Sequence, residues 1–494
     1  MSVFRTKSIE QSLKDSEDPE FQLKRSLTAI DLTVFGIGVI IGAGIFTLTG
    51  QVAAETAGPA VSIAFVISAV CCAFAALCYA EFASAVPVSG SAYTFSYATV
   101  GELVAWIIGW DLLLELMLGA SVVAQGWSQY AEQLLDEIGL GWPDSVGPGS
   151  HFNLLAFLLV AVLCVLVTIG IKESMRVNMV LVTIKVFIVL FVIVMGISLI
   201  NTSNYTPFVP DKIPATDNSV DLTTTVWQAL TGAPGQYGWT GVFAAASIVF
   251  FAFIGFDVVA TTAEEAENPQ RDLPIGIIAS LAICTVLYVA VALVITGMVD
   301  YPNIDPEAAL ASAFSDRGHG TVATIVSAGA VAGLTTVVMT LLIGATRVTF
   351  AMSRDHLLPR EFGHVNRTTR TPMIITIGIG VIVAATASLT PIDKLEEMVN
   401  IGTLAAFTLV SIAVVILRRT RPDLDRPFKV PGAPFTPILS AVICVYMMLN
   451  LTIETWLRFA IWMLIGFVIY FGYGIRKSRV GEAERAKSAR RQPA

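Results

Sequence analysis

The chain has 494 residues, of which 55% are hydrophobic and 14% charged, with a mean hydropathy of +0.74 and a formal net charge of −8. Soluble globular proteins of this length rarely combine such values, so the composition excludes a soluble enzyme, and the acidic balance argues against nucleic acid as a partner. What remains is an all-α polytopic membrane protein with the lipid bilayer as its solvent.

Crossing a hydrocarbon core of roughly 30 Å takes about 20 helical residues. Twelve runs are long enough, near 30–57, 60–86, 102–130, 154–171, 177–200, 240–262, 275–299, 321–352, 373–389, 397–417, 437–454 and 459–475. They are continuously apolar rather than alternating in short segments, so they read as 12 transmembrane helices and not as strands. The first 29 residues are polar and the first run is long enough to span, so no cleavable signal is expected there.

The first run packs four glycines into nine positions, Gly36, Gly38, Gly42 and Gly44. Each weakens a helix by roughly 1 kcal/mol relative to alanine, which predicts a break near Gly42. Amides and carbonyls freed at membrane depth are tolerable only where they line an enclosed cavity or meet a ligand. Tight helix packing through Gly38-xxx-Gly42 is the alternative. A dinucleotide fingerprint is excluded, because the spacing is not GxGxxG and no strand precedes it.

In the third run Glu115 follows Asp111 by one turn, and a carboxylate that deep must find a donor or water. In the fifth, Lys185 is the one ionisable residue between Val177 and Ile200. A mid-helix lysine costs roughly 2.5 to 3.5 kcal/mol on an insertion scale, so it is expected to face a polar cavity or partner on an ion or proton pathway. The sixth run contains Phe250-Phe251-Ala252-Phe253-Ile254-Gly255-Phe256-Asp257, a second interruption with a carboxylate placed to cap freed amides. Two interrupted helices at matching places in two groups of five point to an inverted-repeat transporter with its site at the midplane.

The expected organisation is a cytoplasmic segment 1–29, a first repeat over 30–200, an extracytoplasmic loop 201–239, a second repeat over 240–418, a loop and two further helices over 419–475, and a cytoplasmic tail 476–494. If the N-terminus is cytoplasmic, 25 of the 30 lysines and arginines fall on that side, and both termini are predicted inside. The six cysteines lie within apolar runs and read as packing residues, offering neither a disulfide framework nor metal spacing. His151, His319, His356 and His364 fall in predicted loops or helix ends, so an imidazole relay across the membrane is not expected.

Several stretches then resemble a known family. IGAGIF at Ile41 to Phe46, EFASAVPVSGSAYTFSYATVGELVAWIIGWDLLLE from Glu81 to Glu115, FFAFIGFDVVATTAEEAENPQRDLPIGI from Phe250 to Ile277 and RVTFAMSRDHLLP from Arg347 to Pro359 look like the amino acid, polyamine and organocation transporters. More narrowly they are similar to the cationic amino acid transporter branch and its bacterial relatives, over residues 24 to about 475.

The resemblance implies a LeuT-like five-plus-five inverted repeat with helices one and six broken, in the cell membrane, and a free amino acid as substrate. It places the substrate around Ile40, Ile41, Gly42, Ala43, Gly44, Ile45, Phe251, Ala252, Phe253 and Ile254. The amides of Ala43, Gly44 and Ile45 would receive the carboxylate, in keeping with the exposed N–H groups and partial positive charge of a half-helix N-terminus. Carbonyls of Ile40, Phe251 and Ile254 would take the ammonium, and Phe251 aligns with an aromatic gate. Many relatives carry serine where this chain has Ala43, so only backbone recognition is available there.

Val122, Leu334 and Thr335 would complete the pocket, and neither they nor the aromatics are carboxylates suited to a basic side chain. Lys185 matches a helix-five lysine that places its ammonium where sodium-coupled relatives hold a cation. It is expected to couple protons, with Glu115 as a second carrier, paired to it or joined by water; a purely structural hydrogen bond is the alternative for Glu115. A permanently charged tether to helix one is the alternative for Lys185.

The function this implies is secondary active amino acid transport, with proton symport first and sodium symport or exchange as alternatives. No catalytic residue, metal ligand or cofactor is expected. The sequence has no HExxH or P-loop that would suggest an enzyme or primary pump, and no repeated filter that would suggest a channel. The preferred amino acid and the oligomeric state stay open at this point.

Overall fold

The fold is known from a computed structural model that describes residues 5–6, 27–85, 91–169, 175–213, 220–232, 236–366, 371–482 and 485. Among those residues it is helical throughout, with β pairing confined to isolated bridges at Leu27–Ala266 and Thr225–Thr452. Numbered in chain order, with short turns left unnumbered, the first helices are α1 (Ala29–Ile40), α2 (Val61–Ala85), α3 (Ser91–Thr99), α4 (Glu102–Glu137), α5 (Leu154–Ile169), α6 (Met175–Ile197) and α7 (Gly238–Val249). They are followed by α8 (Pro269–Met298), α9 (Ala309–Ser315), α10 (Gly320–Arg354), α11 (Met373–Leu389), α12 (Ile392–Thr420), α13 (Phe435–Leu449) and α14 (Ile453–Ile469).

Helix covers each of the twelve apolar runs, but the lengths are uneven. Among the described residues, eight helical stretches are long and apolar enough to cross a membrane by length and composition, and four shorter apolar helices, α1, α5, α11 and α13, accompany them. The first run explains part of the difference. It divides into α1 and a second piece beginning at Gly44, and that piece continues past a kink at Gly58 into α2.

Local chemistry fixes where these pieces begin and end. α1 starts at a capping box, in which the Thr28 N–H donates to Asp31 Oδ2 at 2.9 Å and the Asp31 N–H returns to Thr28 Oγ1 at 3.3 Å. It ends because Ile41 turns to ψ 86°, outside the helical region. α6 shows how lipid selects a face. Val180, Ile184, Phe187, Leu190, Val194 and Ile197 are exposed at helical spacing, whereas Lys185 on the other side is 1% exposed.

The long α4 lies at the centre, against α10 and α12, while α8 packs on α1 and α2, and α5 on α11. Two buried carboxylates, Glu102 and Glu81, tie distant parts of the chain together. Glu102 accepts from Arg5 at 2.6 and 2.8 Å, from the Tyr97 and Tyr470 hydroxyls at 2.9 and 3.1 Å, and from Ser478, while Arg5 also donates to the Ile475 carbonyl at 2.7 Å. Glu81 accepts from Arg418 at 2.5 and 2.9 Å and from the Val430 N–H at 2.7 Å. Removing a charge from water costs several kcal/mol unless its partners are complete, and here they are. The first and last described segments therefore meet at the same end, beside the start of α4. The basic residues expected at 7–25, 172, 367–370 and 487–491 lie outside the described residues.

Candidate functional site

Both interruptions read from the sequence are present, and they face each other. The first lies at Ile41–Gly42, between α1 and a five-residue π-helical turn, Gly44–Leu48. The second follows α7, where Phe250–Phe253 tightens to a 3₁₀ turn and Ile254 opens to ψ 138° before another 3₁₀ stretch at Asp257–Glu265. Gly255 sits at φ 118°, and a β-carbon there would also lie 2.7 Å from a Val39 methyl, so glycine is required twice over. Gly44 answers from the other side. A β-carbon on it would lie 2.4 Å from both the α- and β-carbons of Ala252.

Between the breaks is a cavity of about 30 Å³ lined by Val39, Ile40, Gly42, Ala43 and Gly44, by Glu115, Gly119 and Val123 of α4, by Phe251 and Ile254, and by Val337 and Leu341 of α10. That is room for about two waters and less than an amino acid occupies, so admission of a larger ligand requires the surrounding helices to move. Ala43, Gly44 and Ile45 open the helical piece that follows the break, where the first amides have no carbonyl one turn back to bond.

The structure brings Ile40, Gly42, Ala43, Gly44, Glu115, Phe251 and Ile254 to this cavity. Ile41 and Ile45 are fully buried beside it, and Ala252 packs on Gly44. Phe253 turns away to pack edge-on against Phe65 and at a tilt against Tyr288. Leu334 and Thr335 do not line it; the Thr335 hydroxyl returns to the Val331 carbonyl of its own helix at 2.7 Å. Val122 gives way to Val123. The pattern is helical, since 115, 119 and 123 share a face of α4 and 333, 337 and 341 share a face of α10. Once Glu115 is in the cavity, spacing alone selects Gly119 and Val123.

Lys185 reaches across from α6 and donates to the Gly38 carbonyl in the last turn of α1 at 2.8 Å. Its stem lies on Gly333 of α10, where a β-carbon would come within 2.8 Å of Lys185 Cγ. Cys284 of α8 is within electrostatic reach. The side chain thus ties α6 to α1 and rests on α10 next to the first break, and Gly333 is a position that sequence reasoning missed. A glycine in a helix of small residues gave no signal until its neighbour was known. Gly333→Ala is expected to push the Lys185 stem aside at an overpacking cost of ~1–3 kcal/mol and to lower gradient-driven uptake about tenfold. Initial uptake rates in proteoliposomes measure this, and an unchanged rate would show that the contact does not position Lys185.

Glu115 has carboxylates for neighbours. It lies within electrostatic reach of Asp257 and Asp111 and close to Thr403, and the Tyr79 hydroxyl of α2 faces the same group. Asp257 faces backbone amides around Gly255 and Val258, as a cap on the second break would. Both Asp111 oxygens, Glu115 Oε1, Asp257 Oδ1, Thr403 Oγ1 and the Tyr79 hydroxyl are buried with no hydrogen-bond partner among the described residues. Such groups cost about 1–3 kcal/mol each when left dry, so the chemistry of the cluster suits protons and bridging water. Among the described residues no group of histidine, cysteine, aspartate and glutamate side chains is arranged to hold a metal.

Comparison with known proteins agrees with the motifs. Residues 27–472 match the family described as amino acid permease. The chain is 46% identical over 492 residues to the branched-chain amino acid permease BcaP of Bacillus subtilis (strain 168), covering 97% of this chain and 99% of that protein. It is 43% identical over 483 residues to the methylthioribose transporter of the same organism, with 97% and 99% covered. It is 30% identical over 599 residues to cationic amino acid transporter 4 of Homo sapiens, with 96% and 91% covered.

Proposed function

Because the chain belongs to the amino acid permease family, we propose that the two facing breaks are the binding site of a secondary active transporter that carries free L-amino acids across the cell membrane by proton symport. Amino acid transport by a multi-pass membrane protein follows from the family. Proton coupling, alternating access and the residue roles are the further reading. In it, twelve membrane segments form two inverted repeats of five with two added helices, and both termini are cytoplasmic. The meeting of Arg5, Glu102 and Ile475 at one end of the bundle supports placing both end segments on the same side.

One observation carries the reading: two interrupted segments face each other across a small cavity, with a buried ammonium tied to the last turn of α1 beside the first of them. The substrate carboxylate takes the amides of Ala43, Gly44 and Ile45, where a helix N-terminus favours an anion. The ammonium takes carbonyls of Ile40, Phe251 and Ile254, and Phe251 closes over it. Lys185 takes up a proton with the site open outward and releases it inward, and Glu115 with its neighbouring carboxylates passes it on.

Side-chain preference follows the lining. Val39, Val123, Ile254, Val337 and Leu341 make an apolar chamber suited to aliphatic side chains, in keeping with the name of the branched-chain relative. Glu115 at its wall favours a second reading in which a basic side chain is accepted. Purified protein in liposomes, given a panel of neutral and basic amino acids under imposed gradients, separates these. An inward pH gradient is expected to drive uptake and a sodium gradient to have no effect. Uptake driven by sodium, or exchange without net accumulation, would contradict the coupling.

A further inference from the structure

The Ile40 carbonyl, assigned above to the substrate's ammonium, is already occupied. The Gly42 N–H donates to it at 2.8 Å and the Tyr288 hydroxyl at 2.7 Å. A carbonyl oxygen offers two lone pairs, so these two donors use its ordinary capacity. Gly42 belongs to the break itself, but Tyr288 comes from the middle of α8, a different helix, and its side chain is fully buried. Its ring is held by Phe253 at 5.2 Å and Phe65 at 5.7 Å between centroids, so the hydroxyl is aimed rather than free to wander.

We propose that the Tyr288 hydroxyl stands in for the substrate's ammonium: it holds the Ile40 carbonyl while the cavity is closed and is displaced when an amino acid binds. The inference rests on the site reading above and adds a residue to it. An ammonium brings three donors and full charge, and charge-assisted hydrogen bonds are roughly twice as strong as neutral ones, so the ligand wins the exchange. A buried hydroxyl that loses its acceptor must find another. Displacing it therefore acts on α8 as a whole. One turn before Tyr288 on the same face, Cys284 lies within reach of the Lys185 charge, so α8 responds at one surface to the substrate and to the coupling lysine. Tyr288 is accordingly a positioning residue that sets affinity by stabilising the ligand-free form.

The test is equilibrium binding to purified full-length protein of L-leucine, or of L-arginine where that binds better, alongside the same molecule lacking its amino group. Tyr288→Phe keeps the ring and removes the competing donor. Its affinity for the amino acid is expected to rise about fivefold, the worth of one typical hydrogen bond, while that for the des-amino analogue stays at the wild-type value. Unchanged or weakened amino acid binding would overturn the proposal, as would an equal gain for both ligands, which marks a general loosening. Should Tyr288→Phe not fold, Tyr288→Leu also lacks the hydroxyl and is read in the same way. A wild-type protein that binds no amino acid would instead remove the parent site, and this inference with it.

Discussion

Replacing Lys185 with alanine is expected to abolish uphill accumulation of amino acid while leaving the protein folded. One proton moving through ~100 mV supplies roughly 2.3 kcal/mol, enough for about 50-fold accumulation at ~1.4 kcal/mol per tenfold. Without the group that binds and releases that proton, the internal concentration should rise only to the external one. Lys185→Arg sharpens the result. Arginine keeps a permanent charge and can still donate to the Gly38 carbonyl, but it does not release its proton. If Lys185 couples protons, the arginine variant also fails to accumulate. If it is only a tether between α6 and α1, the arginine variant works and the coupling role is wrong. Proteoliposome uptake at a fixed inward pH gradient reads both variants, with a melting curve to establish that each is folded.

Gly44→Ala is expected to have the next largest effect, through geometry rather than charge. The added methyl would lie 2.4 Å from backbone and side chain of Ala252, and backbone cannot turn aside as a flexible side chain can. The helical piece after the first break must then part from the second break, which spoils the alignment of the amides with the carbonyls opposite. Taking overpacking at ~1–3 kcal/mol, the loss of affinity is about a hundredfold at the upper end. Gly378→Ala on α11 is the control, since a β-carbon there meets nothing within 4 Å. Binding to Gly44→Ala at wild-type strength would show that the close approach of the two breaks is incidental to the ligand.

The sequence made the breaks legible because helix propensity is local. Four glycines in nine positions placed the first interruption within a residue of where it lies, although the departure itself falls on Ile41. Gly255 among aromatics marked the second, and its positive φ explains why no other residue would serve. Lys185 stood out because a charge in a run of apolar residues has few physical excuses.

What stayed hidden depends on rotation about helix axes and on contacts far apart in sequence. The cavity takes Val123, Val337 and Leu341 in place of Val122, Leu334 and Thr335, a shift of one to a few positions that hydrophobicity does not register, because every candidate is equally at home in a membrane helix. The gathering of Asp111, Glu115, Asp257 and Tyr79 from three different helices was equally out of reach. So was the hydroxyl of Tyr288 on the Ile40 carbonyl, which joins residues 248 positions apart.

The central claim is that main-chain groups at the two breaks hold the charged ends of an amino acid, and a structure of the protein with its best-transported substrate bound tests it most directly. The carboxylate is expected within hydrogen-bonding distance of the Ala43, Gly44 and Ile45 amides, the ammonium on the Ile40, Phe251 and Ile254 carbonyls, and the cavity enlarged around it. A substrate bound elsewhere, or held in the cavity with its carboxylate turned away from those amides, would contradict it.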